Sequence, residues 1–118
     1  MTRPEGECVF CRIAQGELGS DRVMEDDEVV AFRDLNPQAP THVLVIPKRH
    51  IASLDVADEG DSDLLGRLLL AAKRVAAQEG LSDSGYRVVV NHGADGGQTV
   101  YHLHVHVLGG RGLTWPPG

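Results

Sequence analysis

Histidine and aliphatic residues alternate from His102 to Val107, within the segment 101–108 near the carboxyl end of the sequence. The polar positions are His102, His104 and His106, and the aliphatic positions between and after them are Leu103, Val105 and Val107. Successive side chains of a β-strand point to opposite faces of a sheet. The pattern therefore predicts a strand from Tyr101 to Leu108, with three imidazoles on one face and the aliphatic side chains in the core.

The strongest helical pattern lies between positions 62 and 78. Apolar residues recur there at the spacing of one helix face, at Leu64, Leu65, Leu68, Leu69, Ala72, Val75 and Ala76. Asp61 or Ser62 can cap the N-terminus, and Gly80 can close the C-terminus. A helix from Ser62 to Gln78 is predicted, and it is too short and too charged to span a bilayer.

Shorter patterns predict the remaining elements. A short helix is expected over 8–15, and strands are expected over 22–25, 28–33, 42–46 and 86–91. In the third of these strands His42 shares a face with Leu44 and Ile46. Two prolines mark a loop over 34–40, and glycines mark another over 93–99. The fold class is therefore α+β, with about five mostly antiparallel strands, one long helix and one short helix in one domain over 1–118.

Composition narrows the class of partner. The chain has 118 residues, and 42% of them are hydrophobic, which is enough for an aliphatic core in one domain. The formal charge of −6 and the lack of a basic run argue against nucleic acid as a partner. The first residues do not resemble a signal peptide, and no membrane segment is predicted. A cytoplasmic protein is expected, with residues 1–7 flexible.

The histidine row suggests chemistry on phosphorus. Strand residues two apart are separated by roughly 6.6 Å, so His102 and His106 lie about 13 Å apart, too far to share one metal ion comfortably. The row is therefore expected to divide its roles. Small residues before it can bring backbone N–H groups close to an anion. A neutral histidine is a nucleophile, and a protonated neighbour can stabilise charged oxygens. One histidine on a strand is usually structural, but three on one face favour a functional site.

These residues resemble the histidine-triad (HIT) superfamily, whose motif is His-φ-His-φ-His-φ-φ with φ apolar. The sequence from His102 to Leu108 fills every position. Further segments resemble the Hint branch of histidine-triad nucleotide-binding proteins, and together they cover nearly the whole chain from Cys8 onward. They are 34–42, 45–50, Asn91, 95–98 and the ending 115–118.

The resemblance implies a homodimer whose two sheets join into one ten-stranded sheet. It implies binding of purine nucleoside monophosphates and hydrolysis of nucleoside phosphoramidates, in which AMP or GMP is linked through nitrogen to an amine. His104 would attack the α-phosphorus and form a nucleotidyl-histidine intermediate. His106 would contact the phosphate, His42 would take part in proton transfer, and His102 would complete the catalytic row.

The resemblance also implies a nucleotide-binding set. Phe32 and Leu35 would border the base, and Asp34 would hold the ribose hydroxyls. The phosphate would be surrounded by His104, His106, Asn91, Gly97, Gln98 and Thr99. Thr99 stands where the family commonly has serine, so the hydroxyl is kept and a methyl group is added. Trp115, in the tail 109–118, would reach the partner subunit's active site. Arg33 and His92 receive no role and are expected to face solvent.

The two cysteines form the sequence Cys8-Val9-Phe10-Cys11. In an intracellular chain this spacing indicates metal or redox chemistry, or a pair of thiols without either role. The matching residues in zinc-bearing relatives imply a structural zinc ion held by Cys8, Cys11, His50 and His102. Zinc in a closed site has four ligands, and His102 can serve it because it lies at one end of the row.

Two other functions stay open at this point. The chain could be a nucleotide-binding adaptor in which catalysis is vestigial, or a hydrolase of dinucleoside polyphosphates, as in another HIT branch. The ending from Gly109 to Gly118 favours the Hint branch over the second alternative.

Overall fold

The centre of the molecule is a five-stranded antiparallel sheet in the order β1-β2-β3-β5-β4. The computed structural model describes residues 8–118, so the prediction of flexibility for residues 1–7 lies outside the described residues. The strands are β1 (Arg22–Glu25), β2 (Val29–Arg33), β3 (Thr41–Pro47), β4 (Tyr86–Val89) and β5 (Val105–Gly109). The helices are α1 (Val9–Ala14), α2 (Ser62–Gln78) and α3 (Gly93–Gly96), and 3-10 turns occupy Leu54–Val56 and Glu59–Asp61. This confirms the predicted α+β class.

Each face of the sheet packs against a different helix, because alternate strand residues point in opposite directions. The first face packs on α2, and its strand residues are Val29, Ala31, Val43, Val45, Val105 and Val107. The second face packs on α1, and its strand residues are Val30, Phe32, Leu44 and Ile46. Leu103 also lies in the first core, as predicted for the aliphatic side of the histidine row. The histidines consequently belong to the side of the sheet that α1 covers.

Helix α2 has the predicted bounds and buries a narrower face than expected. Leu68, Ala72 and Val75 are almost completely buried, whereas Leu69 is 56% exposed. Gly80, with a φ of +75°, follows the helix and lets the Leu81 N–H donate to the Ala76 carbonyl at 2.9 Å. A left-handed glycine of this kind closes helix ends, which confirms the predicted stop.

Strand β5 begins at Val105, so the predicted strand from Tyr101 is too long at its start. Val105 pairs with Val45, and a continued ladder would set Leu103 opposite Pro47. Proline has no N–H to donate to a ladder. The Leu103 N–H instead donates to the Ile51 carbonyl at 2.6 Å. His102 and His104 therefore precede the strand and keep their side of the sheet without belonging to the ladder.

The remaining differences are small, with one exception. Strand β4 ends at Val89 rather than at position 91, and part of the glycine-rich loop forms α3. The exception is Arg33, which is not simply solvent-facing. Its guanidinium donates two hydrogen bonds to the Glu79 carboxylate, at 2.7 and 3.1 Å, and so ties β2 to the end of α2. His92 is exposed, as expected. Within residues 8–118 every helix falls short of the length and apolar character needed to cross a bilayer.

Candidate active site and metal cluster

A cleft of about 330 Å³ opens between α1 and the second face of the sheet. Register places Phe32 beside Leu44 and Leu44 beside His106, so one row of side chains crosses β2, β3 and β5 on its floor. Its apolar walls include Val9, Phe10 and Val100. Six of the predicted site residues line it together: Phe32, Asp34, Leu35, Thr99, His104 and His106.

The His104 ring is held in one tautomer by a backbone contact. Its Nδ1 lies 2.7 Å from the carbonyl oxygen of His102, and a carbonyl can only accept. Nδ1 therefore carries the proton, and Nε2 of the neutral ring has a free lone pair. The ring is 7% exposed yet borders the cleft. Burial lowers the pKa of His104 below its usual value, so the neutral form predominates near pH 7.

A second pair of imidazoles forms a directed hydrogen-bond chain. The Gln38 backbone N–H donates to His42 Nδ1 at 3.0 Å, so the neutral His42 ring carries its proton on Nε2. That Nε2 lies 2.9 Å from His106 Nδ1, to which it donates. His106 must then carry its own proton on Nε2, which is buried and has no hydrogen-bond partner among the described residues. His106 lines the cleft, so an oxygen or nitrogen atom of a ligand can take this contact.

Burial keeps this pair uncharged as well. Burial is the main cause that lowers the pKa of His42, and the charge of Asp34 partly opposes it. Burial, with smaller contributions from His104 and His42, lowers the pKa of His106 to about 4. Asp34 Oδ2 lies 3.4 Å from His42 Nε2, while its Oδ1 accepts the Asn36 N–H at 2.9 Å. A bound anion would favour protonation of the pair.

Four thiol and imidazole side chains meet beside the cleft. The ligand atoms of Cys8, Cys11, His50 and His102 all lie within 4.8 Å of one another. His102 Nδ1 is 3.3 Å from each sulfur atom and 3.3 Å from His50 Nδ1. Two nitrogen ligands of a tetrahedral zinc ion, each about 2.0–2.1 Å from it, are also about 3.3 Å apart. The spacing of the donors therefore fits one zinc ion.

The tautomer of His102 fits a metal ligand too. Its Nε2 donates to the Pro47 carbonyl at 2.8 Å, which leaves the Nδ1 lone pair directed at the two sulfur atoms. A carbonyl on the second ring nitrogen is the usual partner of a histidine ligand. Cys8 also caps α1, because its sulfur accepts the Cys11 N–H at 3.3 Å. Cys2His2 is one of the common donor sets of structural zinc.

A second group of potential ligands does not suit a metal. Asp34, His42 and His106 also place three ligand atoms within 4.8 Å of one another. The Gln38 N–H, however, occupies His42 Nδ1 and leaves a proton on Nε2, the nitrogen that faces the other two side chains. A protonated nitrogen cannot coordinate a cation. The group is better described as a hydrogen-bond network.

Four predicted nucleotide-binding residues lie outside the walls of this cleft. Gln98 is 5% exposed, and its amide is engaged with backbone groups of Ala52, Val100 and Gly93. Gly97, at a φ of +86°, ends α3 beside Asn91. Trp115 is 80% exposed and lies 5.9 Å from the Arg87 guanidinium. Their predicted roles stay predictions.

Sequence reasoning missed several residues that shape the site. Phe10 packs edge-on against His104, with ring centroids 5.2 Å apart, and also contacts Phe32. Its position between the two cysteines is a signal that could have identified it. Gln38 and Pro47 act through backbone atoms, and no side-chain pattern in the sequence reveals such contacts.

The chain is similar to known proteins in both sequence and fold. A HIT domain model matches residues 15–113. An uncharacterized HIT-like protein of Synechococcus elongatus is 57% identical over 112 residues, which cover 95% of this chain and 97% of that protein. A 14 kDa zinc-binding protein of Zea mays is 55% identical over 112 residues, with coverage of 93% and 87%.

A solved structure of a HIT family protein has the same fold as this chain. The HIT family hydrolase from Legionella pneumophila Philadelphia 1 superimposes with a TM-score of 0.94 at 55% identity, and the match covers 95% of this chain and 100% of that one. The family model spans most of the sequence, and the His102–Leu108 motif lies inside the matched range. The chain therefore belongs to the HIT family.

Proposed function

We propose that this protein hydrolyses the phosphorus–nitrogen bond of purine nucleoside phosphoramidates, with His104 as the nucleophile. The observation that carries the proposal is the hydrogen bond from His104 Nδ1 to the His102 carbonyl, which leaves Nε2 unprotonated at the cleft. The hydrolase name of the Legionella pneumophila relative agrees with this class of reaction. Histidine is an established covalent nucleophile in proteins.

The reaction has two steps. In the first, His104 Nε2 forms a bond to the α-phosphorus while the bond from phosphorus to the amine nitrogen breaks. The leaving amine takes a proton from His106 Nε2, after the anionic substrate has favoured protonation of the His42–His106 pair. In the second, a water molecule attacks phosphorus, the bond to Nε2 breaks, and the proton of water returns to the pair. The products are the free amine and the nucleoside monophosphate.

The cleft offers suitable surroundings for the rest of the substrate. Phe32 and Leu35 provide apolar surface for a purine, and Asp34 keeps its Oδ2 near the cleft for ribose hydroxyls. Thr99 lines the cleft close to the histidines in sequence and can donate its hydroxyl to the phosphate. In this proposal Asn91, Gly97 and Gln98 shape the loop behind the phosphate.

A structural zinc ion is the second part of the proposal. Cys8, Cys11, His50 and His102 would hold it, and when bound it would link the start of α1 to the segment before β5. The Zea mays relative is called a zinc-binding protein. Elemental analysis of purified protein under reducing conditions should give about one zinc per chain. Cys8→Ser should lower both the zinc content and the melting temperature, and a metal-free parent would contradict this part.

A homodimer is the third part. The outer edge of β4 is unpaired within the described chain, and an exposed strand edge can pair with a second copy. Helix α2 exposes Leu69 and Leu70, at 56% and 55%, which is apolar surface for a partner to cover. Two sheets joined through β4 would give ten strands. Light scattering should give twice the chain mass of 12.7 kDa.

The activity is tested with a fluorogenic AMP–amine conjugate. The parent should turn it over, and His104→Asn should lower kcat by a factor of about 10⁴ or more, because the nucleophile is lost. His92→Ala is the matched control, since His92 is an exposed histidine on the loop before α3 and should leave turnover unchanged. Full activity in His104→Asn would reject the mechanism.

Parallel assays separate the two alternative functions. Tight binding of AMP with negligible turnover over many amine leaving groups would point to a nucleotide-binding adaptor. Faster cleavage of diadenosine polyphosphates than of AMP–amine conjugates would point to a dinucleoside polyphosphate hydrolase. Either result would replace the phosphoramidate proposal.

A further inference from the structure

We propose that the Cys8–Cys11–His50–His102 cluster positions the nucleophile, so that metal loading controls nucleotide binding and turnover through Phe10 and the backbone of His102. This inference rests on the proposed function for its catalytic consequence. Its structural consequence can be measured without turnover. Two separate contacts connect the cluster to His104.

The first connection runs through the main chain. The ring of His102 is fixed in the cluster by Nδ1 and against the Pro47 carbonyl by Nε2. The carbonyl oxygen of the same residue accepts the proton of His104 Nδ1 at 2.7 Å. His102 lies outside β5, so ladder hydrogen bonds do not hold this peptide in place. The Leu103 N–H of the same peptide donates to the Ile51 carbonyl at 2.6 Å, so the cluster, through the His102 ring, is the second of two supports of the carbonyl on which the tautomer of His104 depends.

The second connection runs through the Cys-x-x-Cys segment. Phe10 lies between the two cysteines, is 7% exposed and lines the cleft. Its ring packs edge-on against the rings of His104 and His102, at centroid distances of 5.2 and 6.0 Å. Helix α1 has only six residues, and so short a helix does not hold its own geometry in water. A metal ion on Cys8 and Cys11 would fix the segment that carries this ring.

Loss of the metal should therefore displace both supports of His104 together. Misplacement of a reacting group by about 1 Å can cost a factor of about 10² in rate. The cleft wall formed by Val9 and Phe10 would loosen in the same event, which would weaken nucleotide binding. The metal would not touch the phosphate; it would act by fixing the positions of His104 and of the cleft wall.

The experiment compares the zinc-loaded parent, the chelator-treated parent and the treated parent after zinc is added back. Ring ¹⁵N spectra report the tautomer of His104, calorimetry reports AMP affinity, and elemental analysis reports zinc. Removal of zinc should give a mixture of the Nδ1–H and Nε2–H tautomers of His104 where the loaded protein has only the first. It should also weaken AMP binding and lower kcat by about 10–100-fold. Added zinc should restore all three. Unchanged His104 spectra and AMP affinity in the folded metal-free protein would overturn the inference.

Variants at Phe10 test the second connection with the metal in place. Phe10→Leu removes the ring and should lower kcat while zinc content stays at the parental value, and Phe10→Tyr should restore much of the rate. Arg12→Ala, on the exposed side of the same helix, is the matched control. Equal kcat in parent and Phe10→Leu would remove Phe10 from the proposal. If the zinc-loaded parent hydrolyses no phosphoramidate, the proposed function fails, and the spectra still decide the coupling.

A different observation, at Ser20, points to a residue that would bind the purine base of the nucleotide. Ser20 lines the cleft, and its buried hydroxyl has no hydrogen-bond partner among the described residues. An unsatisfied buried hydroxyl costs free energy, and a ligand group can remove that cost. We infer that the Ser20 hydroxyl binds the exocyclic group on the edge of the purine, which also rests on the proposed function.

Register gives the location of Ser20 relative to the nucleophile. Arg22 pairs with Phe32, Phe32 with Leu44, and Leu44 with His106, so this row crosses the sheet from β1 to β5. Three strand spacings amount to about 14 Å. Ser20 lies two residues before Arg22, at the β1 end of the cleft, and the phosphate would lie at the β5 end. A nucleotide with its phosphorus at His104 would therefore extend its base toward Ser20.

The test combines a protein change with a ligand change. Ser20→Ala should weaken AMP and GMP about 3–10-fold, the effect of one hydrogen bond. It should leave purine riboside 5′-monophosphate, which lacks the exocyclic group, at the parental affinity. A hydroxyl donates and accepts, so both bases should be affected. Equal losses for all three ligands would overturn the role of Ser20, whereas a parent that binds none of them would reject the proposed function.

Discussion

At the residue scale, backbone groups decide which nitrogen of each buried histidine carries a proton. The His102 carbonyl accepts from His104 Nδ1, which places the ring proton on that nitrogen, and the Gln38 N–H donates to His42 Nδ1, which leaves the proton of His42 on Nε2. These two contacts give the rings opposite roles. The His104 ring presents an Nε2 lone pair to the cleft, whereas His42 donates to His106 and so leaves His106 with an N–H donor on Nε2. Burial keeps the rings neutral at pH 7, as a nucleophile requires.

His42 should contribute to catalysis through proton transfer and through the orientation of His106. In His42→Ala, His106 loses the donor to its Nδ1 and with it the tautomer that presents Nε2–H to the leaving amine. We expect kcat to fall by about 10²-fold, the lower range for loss of general acid–base catalysis. Affinity for AMP should change little, because His42 is absent from the cleft walls. Steady-state kinetics and calorimetry check this, and an unchanged kcat would contradict the relay.

His106 should make folding sensitive to acid. Its pKa is lowered from 6.5 to about 4 in the folded chain, mainly by burial, next to His104, His42 and Asp34. Between these values the unfolded chain binds more protons, so stability from this group falls as the pH drops from 6.5 toward 4. The free energy of unfolding in urea should decrease more between pH 7 and pH 4.5 in the parent than in His106→Gln. Equal decreases would show that His106 binds its proton over the same pH range in the folded and unfolded chains, which would contradict the lowered pKa.

Several residues that line the candidate cleft could be predicted from the sequence, whereas the protonation of its histidines could not. His104, His106 and Thr99 line the cleft because alternation and motif place them there. The roles of Gln38 and Pro47 come from main-chain atoms, which every residue carries. No sequence pattern marks a particular carbonyl as the partner of a particular ring.

At the element scale, Pro47 decides where β5 can begin. Alternation alone predicts one straight strand of eight residues, and it assigns the two faces correctly. The ladder ends because the position opposite Leu103 has no N–H. His102 is thereby freed from the ladder and reaches the sulfur atoms of Cys8 and Cys11. A limit on pairing in one strand thus lets the His102 ring join the thiol–imidazole cluster while His106 stays in the ladder.

The exit from β5 depends on a glycine with a left-handed backbone. Gly110 has a φ of +92°, and a Cβ atom there would lie 2.8 Å from Cβ of Pro40, a rigid ring. Gly110→Ala should therefore lower the free energy of unfolding by about 1–3 kcal/mol. Gly112→Ala is the matched control, because a Cβ there meets nothing within 4 Å and its φ is not positive. Urea unfolding of both variants checks this, and equal stability would contradict the strain.

At the scale of the whole molecule, one face of the sheet carries the main hydrophobic core and the other face carries the candidate site. The face under α2 holds the larger aliphatic core, with Leu68, Val75 and Val107 nearly inaccessible. The opposite face carries the cleft, the histidine pair and the thiol–imidazole cluster, under a helix of six residues. Hydrophobic periodicity predicts the first face well, since α2 repeats it over many turns. The second face depends on a short helix and on side chains distant in sequence, so its assembly could be inferred only from the family resemblance.

The carboxyl-terminal tail lies against β4, the edge strand through which the proposed dimer would form. Arg87, on the edge strand β4, donates to the Thr114 carbonyl at 2.9 Å and lies 5.9 Å from the Trp115 ring. The indole is thus held beside the edge at which a second sheet would join, and it is 80% exposed in the single chain. An aromatic ring of that size is expected to find a partner surface.

Trp115 is the only tryptophan, so its fluorescence reports its own surroundings. Emission should shift to shorter wavelength as the chain concentration rises through the dimerisation range, because the partner removes the ring from water. AMP should shift it again if the ring borders the partner's cleft. Arg87→Ala should release the tail and weaken the AMP response while the fold is retained, since Arg87 is only partly buried. An emission spectrum independent of both concentration and AMP would place the tail away from any partner.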